Sequence, residues 1–119
     1  MILVTDAIRG CGMPDGEYPI DDRVIHVQHG TARLPDGTLA GSLLTMDLAL
    51  RNILKATGLP RREAWRMTSL NAAQAIGIAS ATGSLEVGKA ADLVLLNHDL
   101  DVIMTMTEGE IAFETSPSA

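Results

Sequence analysis

Leu3-Val4-Thr5-Asp6-Ala7 places a carboxylate directly behind a short apolar run that begins at Ile2. A continuous apolar run of this length is the signature of a strand buried on both faces, as in parallel sheets. A carboxylate at the C-terminal end of such a strand stands where α/β barrels place their catalytic groups. The same residue type also caps turns and helix starts from loops. The residues alone leave both readings of Asp6 open, and the expected class is α/β.

Outward from this stretch, residues 10–22 hold three glycines and two prolines and read as a loop. Arg23 to His29 and Thr31 to Leu34 read as a hairpin about His29-Gly30, and Pro35-Asp36-Gly37 as a second turn. A long helix follows, with Ser42 expected at its N-cap, Gly58 at its C-terminal stop and Pro60 beyond. Asp47, Arg51 and Lys55 recur every four residues as one solvated stripe. Two shorter helices are expected over 60–68 and 71–76, with Pro60 in the first turn of one and Gly77 ending the other. After Gly83 the pattern turns to strands: Ala91 to Leu96, then Val102 to Thr107 and Ile111 to Glu114 across Glu108-Gly109. Thr115 to Ala119 reads as a frayed tail.

Composition narrows the function classes. With 119 residues, 46% of them hydrophobic and 20% charged, the chain is long enough for one modest core. A net charge of −6 repels phosphate backbones, and Trp65, Tyr18 and Phe113 are the only aromatics, so nucleic acid is not an expected partner. No run approaches the roughly 20 apolar residues of a membrane span. The single cysteine, Cys11, makes no internal disulfide, and the start reads as no signal peptide, so the expected location is cytoplasmic. The hydrophobic run at residue 2 has no lead-in, as if the chain were entered mid-fold.

Gly83-Ser84-Leu85-Glu86-Val87-Gly88-Lys89 imitates a phosphate-binding loop, but Ala90 stands where a hydroxyl residue is needed for magnesium. Glu86 would set a negative charge in the cradle, and a strand pattern follows where a helix should begin. A structural turn is the better reading. His26 and His29 lie three apart on an expected strand, hence on opposite faces, and His98 lies in a distant polar turn. No histidine or cysteine spacing builds a closed metal site. Leu39-Ala40-Gly41-Ser42 leads into the long helix. Gly41 allows close backbone approach there, and free N–H groups at a helix start suit a polar ligand or plain capping.

Taken in order, Leu3-Val4-Thr5-Asp6-Ala7, Asp36-Gly37-Thr38-Leu39-Ala40-Gly41-Ser42 with Leu44-Thr45-Met46, and Arg66-Met67-Thr68-Ser69-Leu70-Asn71-Ala72-Ala73 resemble the N-acetylglucosamine-6-phosphate deacetylases. Gly83-Ser84-Leu85 with Gly88-Lys89-Ala90-Ala91-Asp92-Leu93-Val94 is similar to a segment shared more widely among amidohydrolases. Asn71-Ala72 departs from the family, which often has proline at the second position. The resemblance covers nearly all of this chain and about the last third of a family member.

It implies the last strand and helices of a (β/α)₈ barrel over residues 1–81, with residues 2–5 as the eighth strand. Residues 82–119 would be the C-terminal strands of a small β-sandwich domain. The implied reaction converts N-acetylglucosamine 6-phosphate to glucosamine 6-phosphate and acetate. A divalent metal, usually zinc, activates water in that chemistry. Asp6 matches the general base and acid, and Leu39, Ala40, Gly41 and Ser42 match a substrate-contacting segment. The metal ligands come from earlier strands, so none is expected on this piece. It is expected to be inactive alone and to self-associate through its unpaired apolar strand. Competing readings are a fragment of another cyclic amidohydrolase or deaminase, and a non-catalytic oligomerising module.

Overall fold

Turn dipeptides with positive φ set the strand order at both ends of the chain. In the computed structural model, which describes residues 1–116, His29 (φ 50°) and Gly30 (φ 73°) join β2 (Arg23–Gln28) to β3 (Thr31–Arg33). Two central residues at positive φ give the hairpin turn whose twist matches its strands. The register sets His26 opposite Arg33, Val27 opposite Ala32 and Gln28 opposite Thr31. At the next turn Thr38 N donates to Asp36 Oδ1 (2.9 Å) and Leu34 N to Thr38 O (2.8 Å). The chain returns as β4 (Leu39–Gly41), antiparallel to β3.

The loop expected over 10–22 is corrected in its second half. Gly16–Ile20 forms β1, antiparallel to β2, with Glu17 opposite His26. Pro19 misled the reading, because proline forfeits a ladder donor. It is tolerated here because β1 is the edge of a sheet ordered β1-β2-β3-β4.

Val4–Ala49 is one of two compact units. In β2, buried Ile25 and Val27 alternate with exposed Val24, His26 and Gln28, the period of a sheet with one wet face. Ile25, Val27 and Ala32 form the centre of the unit, with Ile8, Tyr18, Ile20, Leu34, Ala40 and Leu43 packed on them.

The expected N-cap at Ser42 is also corrected. Helix α1 spans Met46–Thr57, and the Ser42 Oγ accepts from Leu44 N (3.0 Å) in a local turn before it. Thr45 O takes the first helical donor, Ala49 N (2.9 Å). At the far end Gly58 (φ 67°) donates its N–H to Leu54 O (2.9 Å), the left-handed stop that the sequence signals.

The second unit joins Met1–Leu3 to the chain from Leu50 onward. Pro60 stands just before α2 (Arg61–Thr68), its carbonyl accepting from Glu63 N at 2.9 Å. Helix α3 (Leu70–Ala75) ends before Gly77 (φ 78°). Leu50, Ala64 and Leu100 form this unit's core, with Ile53, Leu54 and Leu96 against them.

No strand forms over residues 2–5. Leu3 N donates to Met67 O (2.9 Å) and Met1 O accepts from Asn71 Nδ2 (2.8 Å), so these backbone groups bond to helices α2 and α3. Ile2 and Val4 are 40% and 72% exposed, against the expectation of burial on both faces. Among the described residues nothing offers this run a strand on either side; a parallel pairing begins only at Ala7, as an isolated bridge to Ser42.

The motif that imitates a phosphate loop is a structural turn. Lys89 Nζ donates to Ser84 Oγ (2.6 Å) and Glu86 Oε1 (3.0 Å), which occupies the cation within the turn. The chain then enters β5 (Leu93–Leu96), not a helix. Gly83 (φ 92°) is required by space as well, because a Cβ there would sit 2.8 Å from Ala73 Cβ and 3.2 Å from Leu70 Cα.

Strands β5, β6 (Val102–Thr107) and β7 (Glu110–Glu114) form an antiparallel sheet in that order. The β6–β7 turn, Glu108 (φ 51°) and Gly109 (φ 87°), is held from outside. Asp92 Oδ1 accepts from Glu108 N (2.9 Å), and Ala91 O accepts from Gly109 N (3.1 Å). Of the tail expected to fray, Thr115 N donates to Ile103 O (2.9 Å), and Pro117–Ala119 lie outside the described residues.

Candidate functional site

The two residues that follow Asp6 pair with the end of the Leu39–Ser42 segment. Ala7 and Ser42 form a parallel bridge, and Ile8 N donates to Ser42 O at 3.0 Å. The chain leaving Asp6 therefore runs alongside the end of β4, although 36 positions separate Asp6 from Ser42 in sequence. Asp6 itself is exposed and adopts φ 49°, a conformation that aspartate tolerates better than most residues.

The four residues of the 39–42 segment have different surroundings. Leu39 is 64% exposed, whereas Ala40 packs on the Ile25–Val27–Ala32 centre. Gly41 has φ 151°, and a Cβ on it would run into Ile8 Cγ2. The close approach expected at Gly41 is thus to the chain's own Ile8. Ser42 spends its hydroxyl on Leu44 N and its carbonyl on Ile8 N. The free helix-start amides expected beside this segment lie further on, because α1 begins at Met46.

Behind Asp6 the backbone is fixed by a tight turn. Cys11 N donates to Ile8 O (2.9 Å), which places Arg9 and Gly10 at the turn's two central positions. Gly10 is buried, with Val27 Cγ2 2.8 Å from where its Cβ would stand, and the Cys11 thiol donates to Leu43 O (3.3 Å).

None of the three histidines makes a hydrogen bond or ion pair with Asp6 or with Leu39–Ser42 among the described residues. His26 Nδ1 is 3.2 Å from Glu17 Oε1 on the exposed sheet face. His29 sits in the hairpin turn, not on the strand that was expected to carry it, and its backbone N–H donates to Asp15 Oδ2 (3.2 Å). His98 is exposed beside Asp99. Among the described residues no three His, Cys, Asp or Glu side chains are grouped to hold a metal ion, and no helix is long and apolar enough to cross a membrane. Two open cavities of about 360 and 370 Å³ are lined by other residues, one by Thr107–Glu108 and Glu110–Ala112 and one by Arg23–Val24 and Leu34–Asp36.

Three carboxylates are held below their ordinary range, all outside the Asp6 region. Asp36 is lowered chiefly by the Thr38 backbone N–H. Glu86 is lowered by the Ser84 hydroxyl and then by Lys89. Asp101 is lowered by the Asn97 amide and then by Arg51, whose Nη1 lies 2.8 Å from Asp101 Oδ1.

Residues 2–112 match the family model described as Amidohydrolase family. The chain belongs to the amidohydrolase family. This amidohydrolase chain is 37% identical over 118 residues to the N-acetylglucosamine-6-phosphate deacetylase of Vibrio furnissii, covering 99% of the chain and 30% of that relative. It is 38% identical to the putative N-acetylgalactosamine-6-phosphate deacetylase of Escherichia coli K12, covering 94% of the chain and 67% of that protein. The crystal structure of N-acetylglucosamine-6-phosphate deacetylase from Thermotoga maritima superimposes with a TM-score of 0.81 at 42% identity, covering 97% of this chain and 31% of that one. The amidohydrolase chain is thus a mixed α/β piece of the architecture seen in those deacetylases, and it spans about a third of the length of most of them. The family is generally metal-dependent.

Proposed function

We propose that this amidohydrolase chain supplies the C-terminal third of a metal-dependent deacetylase that hydrolyses N-acetylglucosamine 6-phosphate to glucosamine 6-phosphate and acetate. Residues 1–81 would be the closing part of a (β/α)₈ barrel and residues 82–119 the last strands of a small β-domain. The β5–β7 sheet falls wholly within the latter range. The observation that carries the reading is the Ala7–Ser42 bridge with its Ile8–Ser42 hydrogen bond. It sets the residue after Asp6 against the segment that the resemblance assigns to substrate.

In this reading Asp6 is the proton carrier. Its carboxylate takes a proton from the attacking water as the C–O bond forms at the acetamide carbonyl, and gives it to the nitrogen as the C–N bond breaks. An exposed carboxylate at the end of a chain held by the Ile8–Cys11 turn is free to approach a substrate without first breaking an internal bond. Leu39 to Ser42 would line the acetamide side, with Leu39 offering exposed apolar surface to a methyl group. In this reading the ion, zinc, rests on ligands from the earlier barrel strands, as the resemblance implies. The setting would be cytoplasmic and the assembly oligomeric.

The E. coli relative gives a second substrate reading, the C4 epimer N-acetylgalactosamine 6-phosphate. Both are tested in a chimera in which this chain replaces the matching segment of the Vibrio furnissii deacetylase. Acetate release from one of the two sugar phosphates, reduced about 10²- to 10⁴-fold by Asp6→Asn, is the expected outcome. A folded chimera whose turnover is indifferent to Asp6→Asn would sink the assignment.

A further inference from the structure

We infer that the outward face of helix α2 docks on the β7 edge of a second copy of this chain; this rests on the oligomeric reading above and not on the deacetylase one. Helix α2 buries Ala64 and Met67. With about 3.6 residues per turn, the side turned away from them carries Arg62, Trp65 and Arg66. All three are exposed, Trp65 at 39%. Neither guanidinium makes a hydrogen bond or ion pair among the described residues. Like charges one helical turn apart repel each other, so the pair weakens the helix that carries it. In a chain of net charge −6 no carboxylate has been set against either. Trp65 is the chain's only tryptophan, and Trp and Arg are the side chains that carry most energy in protein interfaces.

The complementary half is β7. It is an edge of the sheet ordered β5-β6-β7. It begins at Glu110 and ends at Glu114, and neither carboxylate makes a hydrogen bond or ion pair among the described residues. Between them Ile111 and Phe113 are 55% and 49% exposed. An edge of this kind is shielded by charge or covered by a helix or loop. Charge decides against a second β7 as the cover, because antiparallel pairing of two such strands would bring Glu110 of one opposite Glu114 of the other. A basic helix has the opposite sign. The lengths also agree: the eight residues of α2 span about 12 Å, and Glu110 to Glu114 about 13 Å. Arg62 and Arg66 lie about 6 Å apart along the helix axis, and their long side chains splay to cover the rest. Laid along β7, α2 sets its two arginines toward the two glutamates and Trp65 against Ile111 and Phe113, an apolar centre with a charged rim. Each copy carries both halves, so no further component is needed.

Sedimentation and Trp65 emission test this on the 119-residue chain. Mass should rise with concentration, and Trp65 emission should move to shorter wavelength over the same range. Raising salt from about 0.05 M to about 0.5 M should weaken the association about 10-fold. Arg62→Glu with Arg66→Glu, and Glu110→Arg with Glu114→Arg, should each weaken it about 10- to 100-fold, since one exposed pair contributes only a few-fold. An equimolar mixture of the two reversed chains should associate as the wild type does, and Arg62→Lys with Arg66→Lys should keep most of the association. Association that ignores salt and both reversals, or a mixture no stronger than either reversed chain, overturns the proposal and leaves the oligomeric reading standing. A wild type that stays monomeric with unmoved Trp65 emission overturns both. If circular dichroism shows that a reversed chain does not fold, the salt and emission series on the wild type decide: loss of association and of the Trp65 shift at high salt supports the proposal, and their persistence overturns it.

Discussion

Gly41→Ala should cost far more than one methyl group normally does, for two separable reasons. The first is conformational: φ 151° lies where only glycine rests without strain, and holding another residue in such a region costs about 1–3 kcal/mol. The second is steric. The new Cβ would overlap Ile8 Cγ2, and overpacking of this kind costs about 1–3 kcal/mol. Together they give about 2–6 kcal/mol, a large share of the roughly 5–15 kcal/mol that holds a domain folded. Ile8→Ala separates the two. It removes Cγ2 and Cδ1 and leaves Ile8 Cβ 3.5 Å from the new methyl, an ordinary contact. In urea denaturation of the full chain, the double variant should therefore be more stable than the two single costs predict, with a coupling of about 1–3 kcal/mol. The amide of Ile8, which donates to Ser42 O, should lose exchange protection in Gly41→Ala. A single-variant cost under about 0.5 kcal/mol, or strict additivity with Ile8→Ala, would refute the account.

The chain should lose stability in acid for a stated reason. Asp36, Glu86 and Asp101 have folded-state pKa values below their ordinary ones of 3.8, 4.5 and 3.8, so their contribution is intact above those values and is lost as pH falls through the lowered ones. Melting temperature followed between pH 7 and pH 2 should hold level and then drop below about pH 4.5, and Asp101→Asn should reduce that drop. Separately, Ile2, Val4, Leu85, Val87, Val94, Leu95, Ile111 and Phe113 are all at least 40% exposed. Apolar exposure on this scale favours association. Light scattering should show mass rising with concentration; one constant monomer mass across the range would contradict it.

Much of the fold was legible where a single residue type decides the local geometry. His29-Gly30, Glu108-Gly109 and Gly58 each mark a left-handed position, and each was read as the turn or stop it is. The reading failed where two local signals compete. Pro19 argues against a strand in general, yet an edge position removes its cost, so β1 was missed. Ser42 is a good cap, but it is spent on Leu44 in a turn that ends β4, and α1 waits until Met46. The run Ile2–Val4 has the composition of a buried strand, yet Leu3 N bonds to α2 and the preceding Met1 O accepts from Asn71 of α3. The site is a different case. No periodicity links Asp6 to Ser42; only the resemblance names both, and the bridge that forms is between Ala7 and Ser42.

The carboxylate of Asp92 anchors a bend that belongs to two other strands. Glu108, at the apex, holds its positive φ with its own N–H satisfied by a side chain from outside the hairpin. The vulnerability has moved sixteen residues upstream, to a position that a survey of the bend alone would pass over.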